Sequence, residues 1–216
     1  MSASFDEVFA VPDQRSTLGK SAFVLRGFAR PWLMEVIPAI AGIVQRSEFR
    51  RMVTPGGDVM SVAMTNCGRL GWVTDHRGYR YSGTDPLSGA DWPPMPGCFA
   101  QLATAAAKSA GFANFAPDAC LINRYQPGAR LSLHQDKDER DFSAPIVSVS
   151  LGMPATFLFG GRKRSDRPSR IPLFHTDVVV WGGEDRLRFH GVAPLKENPH
   201  ELLGTQRINL TFRRAG

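Results

Sequence analysis

From residue 119 onward the chain is a succession of short β-like runs: 119–125 (ACLINRY), 130–136 (RLSLHQD), 145–151 (PIVSVSL), 155–159 (ATFLF), 172–181 (PLFHTDVVVW), 187–193 (LRFHGVA) and 206–213 (QRINLTFR). Gly, Pro and Asp separate them. Short runs without amphipathic helices between them do not suit alternating β/α units and predict an antiparallel sandwich or jelly roll. Ahead of them, 31–46 reads as an amphipathic helix with Pro31 at its first position and Pro38 inside it, and 97–110 as a second helix stopped by Gly111. Residues 21–26 suit a short strand, and residues 1–20 show little periodicity. The expected fold is mostly β with flanking helices: a jelly-roll core at about 117–214, N-terminal helices and a lid at about 50–96, all in one domain, 1–216.

The middle segment, 64–96, interleaves Trp72, Tyr79, Tyr81 and Trp92 with Arg69, His76, Arg77 and Arg80. Without a helical period, and rich in Gly and Pro, it reads as poor core material and as a binding lid or platform. Lys and Arg outnumber Asp and Glu by 26 to 20, a net +6 that favours a polyanionic partner. Three cysteines, Cys67, Cys98 and Cys120, none at zinc-site spacing, argue against a disulfide scaffold and for a reducing cytosol. The first residues lack a signal-peptide pattern, and no stretch approaches the ~20 apolar residues of a membrane helix. A soluble cytoplasmic protein is expected.

His134 and Asp136 form His-x-Asp within LSLHQD. On an extended chain residues i and i+2 face the same way, so imidazole and carboxylate would converge. His190, in RFHGVAP, follows in a separate run. Two histidines and a carboxylate form the facial triad of non-haem iron(II) oxygenases, which leaves positions open for co-substrate and O2. A lone His-x-Asp is also a common surface pair, and on spacing alone His175 and His200 remain rival third ligands.

In 207–213 (RINLTFR), Ile208, Leu210 and Phe212 share one face, while Arg207, Asn209, Thr211 and Arg213 share the other. An edge strand with a solvated polar face would look the same. If that face lines the barrel, two guanidiniums need anions, and arginine forks match carboxylates. Leu121, Asn123 and Tyr125 share one face of 119–125 and could line the same ligand, as could Ser148 or Ser150.

Together with MVTPGG (52–57), MSVAMTNCG (60–68), LGW (70–72), PDACLINRY (117–125), LSLHQDKDE (131–139), PIVSVSLG (145–152), DVVVWGGE (177–184), FHG (189–191) and NLTFR (209–213), these motifs resemble the bacterial AlkB family over most of residues 50–214. The resemblance implies a double-stranded β-helix that binds Fe(II) through His134, Asp136 and His190. It implies 2-oxoglutarate held by Arg207 and Arg213, with Leu121, Asn123, Tyr125 and Asn209 around it. It implies that Trp72 and His134 sandwich a damaged base, that Tyr79 contacts the nucleic-acid backbone, that Asp138 sits near the exocyclic amine of a cationic base, and that Arg164 lies at the substrate rim. The implied reaction uses O2 to remove N-alkyl groups of the 1-methyladenine and 3-methylcytosine type from DNA, or from RNA, releasing aldehyde, succinate and CO2. A monomer that prefers single strands and binds no membrane is expected. The basic segment 161–170 is either a solvated loop or a phosphate-contact loop.

Two other readings use the same residues. The barrel, triad and arginines could serve a hydroxylase of protein side chains or small molecules. A basic barrel could bind single-stranded nucleic acid without chemistry, though this leaves the polar face of 207–213 without a role.

Overall fold

The structure, a computed structural model, describes residues 15–216. The first part of the chain runs β1 (Arg15–Thr17), β2 (Ala22–Leu25), a 3-10 turn at Arg30–Trp32, and α1 (Leu33–Arg46). Then come β3 (Arg50–Val53), β4 (Val59–Gly68), β5 (Gly71–Asp75), β6 (Gly78–Ser82) and α2 (Gly97–Ser109). The remainder is β7 (Ala119–Tyr125), β8 (Leu131–His134), β9 (Ile146–Gly152), β10 (Ala155–Phe159), β11 (Ser169–Leu173), β12 (Val178–Trp181), β13 (His190–Val192) and β14 (Arg207–Arg213). Eight strands form one sheet in the order β1-β2-β12-β9-β14-β7-β4-β3, four form a second in the order β11-β10-β13-β8, and β5 and β6 pair alone. This is the mostly β, jelly-roll architecture expected from the short runs.

Strand β14 lies between β9 and β7, antiparallel to both, and is buried throughout. It is therefore not an edge strand, and both of its faces need explaining. Ile208, Leu210 and Phe212 pack in the core that includes Val36, Ile40 and Ile43 of α1 and Phe99, Leu102, Ala103 and Ala106 of α2. The Phe99 and Phe212 rings meet edge to face at 5.8 Å, a favoured aromatic geometry. The helices thus cover one side of the large sheet with their apolar stripes, and α1 runs through Pro38 without ending there. Arg207, Asn209, Thr211 and Arg213 are left on the side away from the helices, also buried.

Four expectations need correction or narrowing. The run 172–181 is two strands in different sheets. The chain turns between Leu173 and Val178, with Thr176 at φ 73°. Asp177 fixes the turn by accepting from the Phe174 N–H (2.9 Å) and the Gly27 N–H (2.9 Å). Strand β8 ends at His134, so Asp136 lies just beyond it. The segment 64–96 is not poor core material. It completes β4 and forms the β5–β6 hairpin, and Cys67, Val73 and Trp92 are buried. Of the lead-in, 15–17 is a strand and residues 1–14 lie outside the described part. All three cysteines are free and buried. Among the described residues no helix is long and apolar enough to cross a membrane.

Candidate active site

His134 and His190 sit directly opposite each other on the paired strands β8 and β13. Their rings lie 4.4 Å apart, centroid to centroid. Asp136 reaches both: its Oδ1 is 3.5 Å from His134 Nε2 and its Oδ2 is 3.7 Å from His190 Nε2. One ligand atom from each residue lies within 4.8 Å of the others, so the three could hold one metal ion. Pairing across the strands places the distal histidine; the chain leaving β8 returns the carboxylate to the same point.

The protonation pattern suits ligation. His134 Nδ1 lies 2.9 Å from the Ser132 carbonyl and His190 Nδ1 lies 3.0 Å from the Arg188 carbonyl. A carbonyl only accepts, so each Nδ1 carries a proton, which leaves Nε2 as the ring atom that faces Asp136 and could ligate a metal. Burial, together with the nearby His134, pushes the His190 imidazole down to about 3, so it is neutral at pH 7. Burial works to raise the Asp136 carboxyl, but the Arg213 guanidinium and the two histidines outweigh it and hold it well below the usual carboxylate range. Two imidazoles and one carboxylate, with no thiolate, are a donor set suited to Fe(II).

The rival histidines are elsewhere. His175 and His200 lie against each other, ring centroids 4.2 Å apart with their planes tilted by 38°, and His175 Nδ1 accepts the Gly152 N–H at 3.0 Å. Neither joins the cluster.

The buried polar face of β14 divides into three parts. Arg213 donates to Asp136 and also lies 3.2 Å from Glu139 Oε1. Asn209 is occupied within the protein: its amide donates to Ser148 Oγ (2.8 Å) and the Val149 carbonyl (2.9 Å) and accepts from Thr211 Oγ1 (2.9 Å). Arg207 is different. It is 1% exposed, and Nη2 donates to Ser150 Oγ at 3.0 Å, but Nε and Nη1 have no partner. Among the described residues it makes no ion pair with a carboxylate. Its guanidinium carbon lies 5.0 Å from the Tyr125 ring centroid, and nearby Asn123 Oδ1 is also unpartnered. Leaving a buried cation and two donors unmatched is costly. The residues therefore fit a small carboxylate that would take those donors, as 2-oxoglutarate can. Leu121 is buried on the same side of β7, in the cluster with Tyr125 and Leu131.

Trp72 and Tyr79, opposite strands of the hairpin, stack at 5.7 Å with 18° between their planes. Tyr79 is 50% exposed. Trp72 Nε1 donates to Asp138 Oδ2 at 2.8 Å, while Asp138 itself stays exposed to solvent. Arg164 extends from the 161–170 segment, and its Nη2 donates to the carbonyl of Leu133, next to His134. Basic side chains, an aromatic pair and the histidine–aspartate cluster thus occupy one region.

Sequence reasoning passed over Glu139 and Arg186, and read Tyr81 only as one of the aromatics of the lid. Glu139 is buried, accepts from Tyr81 OH (2.8 Å) and pairs with Arg186 Nη2 (3.0 Å). Arg186 Nη1 also donates to the Asp136 carbonyl at 2.8 Å. In QDKDERD nothing marks Glu139 as buried, since its partners are supplied by the hairpin and by distant strands.

A sequence model of the 2OG-Fe(II) oxygenase superfamily matches residues 23–213. The alpha-ketoglutarate-dependent dioxygenase AlkB of Salmonella typhimurium is 58% identical over 198 residues, 92% of each chain. The nucleic acid dioxygenase ALKBH1 of Mus musculus is 36% identical over 132 residues, 61% of this chain and 33% of that one. The solved structure of OsALKBH1 superposes with a TM-score of 0.81 at 30% identity, covering 93% of this chain and 99% of that one.

Proposed function

We propose, from the premise that this chain belongs to the AlkB type of the 2OG-Fe(II) oxygenase superfamily, that His134, Asp136, His190 and Arg207 are the working centre of a base-repair enzyme. The protein is an Fe(II)- and 2-oxoglutarate-dependent dioxygenase that oxidatively dealkylates nucleic acid. Bound Fe(II), 2-oxoglutarate and O2 supply the oxidation of an N-alkyl carbon, from which the alkyl group leaves as an aldehyde while succinate and CO2 are formed.

The observation that carries the residue assignment is the unmatched guanidinium of Arg207, buried in the same interior as the histidine–aspartate cluster. His134, Asp136 and His190 hold the metal. Arg207 takes a carboxylate of the co-substrate, with Tyr125 and Asn123 beside it and Leu121 closing the wall. Arg213 fixes Asp136 and borders the other end. Asn209 keeps Ser148 and Thr211 in place and so shapes the pocket from within.

On the substrate side, Trp72 and His134 enclose the base, and Tyr79 extends the aromatic surface toward the strand. Asp138 puts a carboxylate beside the indole, which favours a cationic base such as 1-methyladenine or 3-methylcytosine. Arg164 and the basic 161–170 segment track phosphates. Residues 50–96 serve as the nucleotide-recognition part of a single domain whose core is 117–214. The enzyme acts as a monomer and prefers single strands, where no base pair must be opened. DNA is the first expected substrate and RNA the second.

The test is formaldehyde and succinate release from single-stranded oligonucleotides carrying 1-methyladenine or 3-methylcytosine. One formaldehyde per methyl lost, dependent on Fe(II) and 2-oxoglutarate, is expected. Succinate formation with intact methylated bases, and hydroxylation of a protein or metabolite instead, would return the hydroxylase reading. Iron-dependent turnover of any kind removes the reading as a binding module.

A further inference from the structure

We propose that Asn66 is a positioning residue for the base-stacking platform: its amide fixes the backbone of Trp72 and so the attitude of the indole. The proposal rests on the reading of Trp72 as the residue that stacks on the substrate base. It begins with parity along β4. Cys67 belongs to the core under the two helices, whereas Val62 and Met64 belong to the cluster on the opposite side of the sheet. Asn66 shares the parity of Val62 and Met64, so it points toward the hairpin. It is 0% exposed.

A buried amide is costly unless both of its ends are bonded. Asn66 spends both on one residue: Oδ1 accepts the Trp72 N–H at 3.0 Å and Nδ2 donates to the Trp72 carbonyl at 3.0 Å. The pair of bonds also sets which end of the amide is which, because an N–H can only donate and a carbonyl can only accept. Strand β5 has a strand partner on one edge only. For one residue, the Asn66 amide does on the other edge what a neighbouring peptide would do. A carboxylate cannot supply the donor, and a hydroxyl cannot span both groups in this geometry.

The surroundings leave the clamp little freedom. A Cβ on Gly71 would lie 2.9 Å from the Asn66 Cβ and would overlap the Trp92 indole, so hairpin and strand are in close contact there. Trp92 Nε1 donates to the Ser82 carbonyl at 3.0 Å and pins the other strand of the hairpin. Trp72 is thus held at its backbone by Asn66 and at its ring by Asp138. Such double anchoring presents the ring in its binding position before substrate arrives, which lowers the ordering cost of binding.

The test compares Asn66→Ala, Asn66→Asp, Trp72→Ala and Thr104→Val with the unaltered protein. Binding of a fluorescent methylated single strand to the metal-free protein is read by anisotropy, and KM and kcat are read on the loaded enzyme. Asn66→Ala should weaken binding about tenfold, within the range of a lost stacking contact, and should raise KM with a much smaller effect on kcat. Asn66→Asp, which keeps the volume and the acceptor but sets a carboxylate against the Trp72 carbonyl, should weaken binding at least as much. Thr104→Val removes a hydrogen bond to the Phe115 carbonyl, remote from the hairpin, and should change neither. Unchanged affinity in folded Asn66→Ala or Asn66→Asp, beside a weakened Trp72→Ala, would overturn the proposal. So would an equal loss in Thr104→Val, or unfolding of both Asn66 variants by circular dichroism. Unchanged affinity in Trp72→Ala would instead overturn the stacking role on which the proposal stands.

Discussion

Arg213 closes on Asp136 with two nitrogens, Nε at 3.0 Å and Nη2 at 2.7 Å from the same Oδ2. That carboxylate belongs to the candidate metal triad, so the guanidinium is already committed to a protein anion. Arg207, six residues earlier on the same face of β14, has two donors with no partner. Two arginines that look equivalent in the sequence therefore differ in their surroundings: Arg213 is paired with Asp136, and Arg207 has two buried donors free.

Substitutions at the two positions should separate them. Arg207→Ala should cost about 2–5 kcal/mol in 2-oxoglutarate binding, as for a truncated buried charge pair, and leave Fe(II) affinity nearly intact. Arg207→Lys should rescue poorly because an ammonium cannot form the fork. Arg213→Ala should lower Fe(II) affinity as well, because Asp136 loses the partner that keeps it ionised and aimed. Anaerobic titrations with Fe(II) and 2-oxoglutarate, followed by the weak visible absorption of the chelate, distinguish the two patterns. Equal losses of Fe(II) affinity in both alanine variants would show that Arg213 has no special hold on Asp136.

His134→Ala and His190→Ala should each abolish turnover while the far-ultraviolet circular dichroism stays that of the parent. His175→Ala should bind Fe(II) normally, because its ring faces His200 and not the triad. Loss of iron in His175→Ala, with retention in His190→Ala, would exchange the third ligand.

Asp138→Asn should reduce formaldehyde release from 1-methyladenine and 3-methylcytosine more than from neutral 1-methylguanine, since only the cations lose a charge partner. The same substitution also disturbs the acceptor for Trp72 Nε1, which should weaken all lesions to some extent. The difference between cationic and neutral substrates is therefore the quantity to measure. Equal losses on both would leave Asp138 as an anchor of the indole alone.

Neutralising Arg162, Lys163 and Arg164 together should lower affinity for every single-stranded sequence alike. It should also flatten the salt dependence, by about 0.7 in the logarithmic slope for each phosphate contact removed. Binding isotherms at several salt concentrations give that slope. An unchanged slope would make the 161–170 segment a solvated loop whose arginines serve local carbonyls, as Arg162 does at Glu184.

What the sequence by itself determined are the features with a short period. Alternation in 119–125 and 206–213 marks strands within a residue of β7 and β14, and it separates the apolar face of β14 from the arginine-bearing one. The order His-x-Asp, distal His, Arg-x-Asn-x-Thr-x-Arg is legible in the same way, because residue types and strand parity are local properties. The tertiary structure alone decided the rest. Whether a charged side chain is matched depends on partners far away in the chain: Asp136 meets Arg213 across 77 residues and Glu139 meets Tyr81 across 58. The same holds for Asn66, which reads as an ordinary polar strand residue until the hairpin folds back over it, and for 172–181, whose division into two sheets is fixed by Asp177 reaching Gly27. Burial turns each of these polar groups from a solvated residue into one that must find its partner, and a linear pattern does not show which distant segment will bury it.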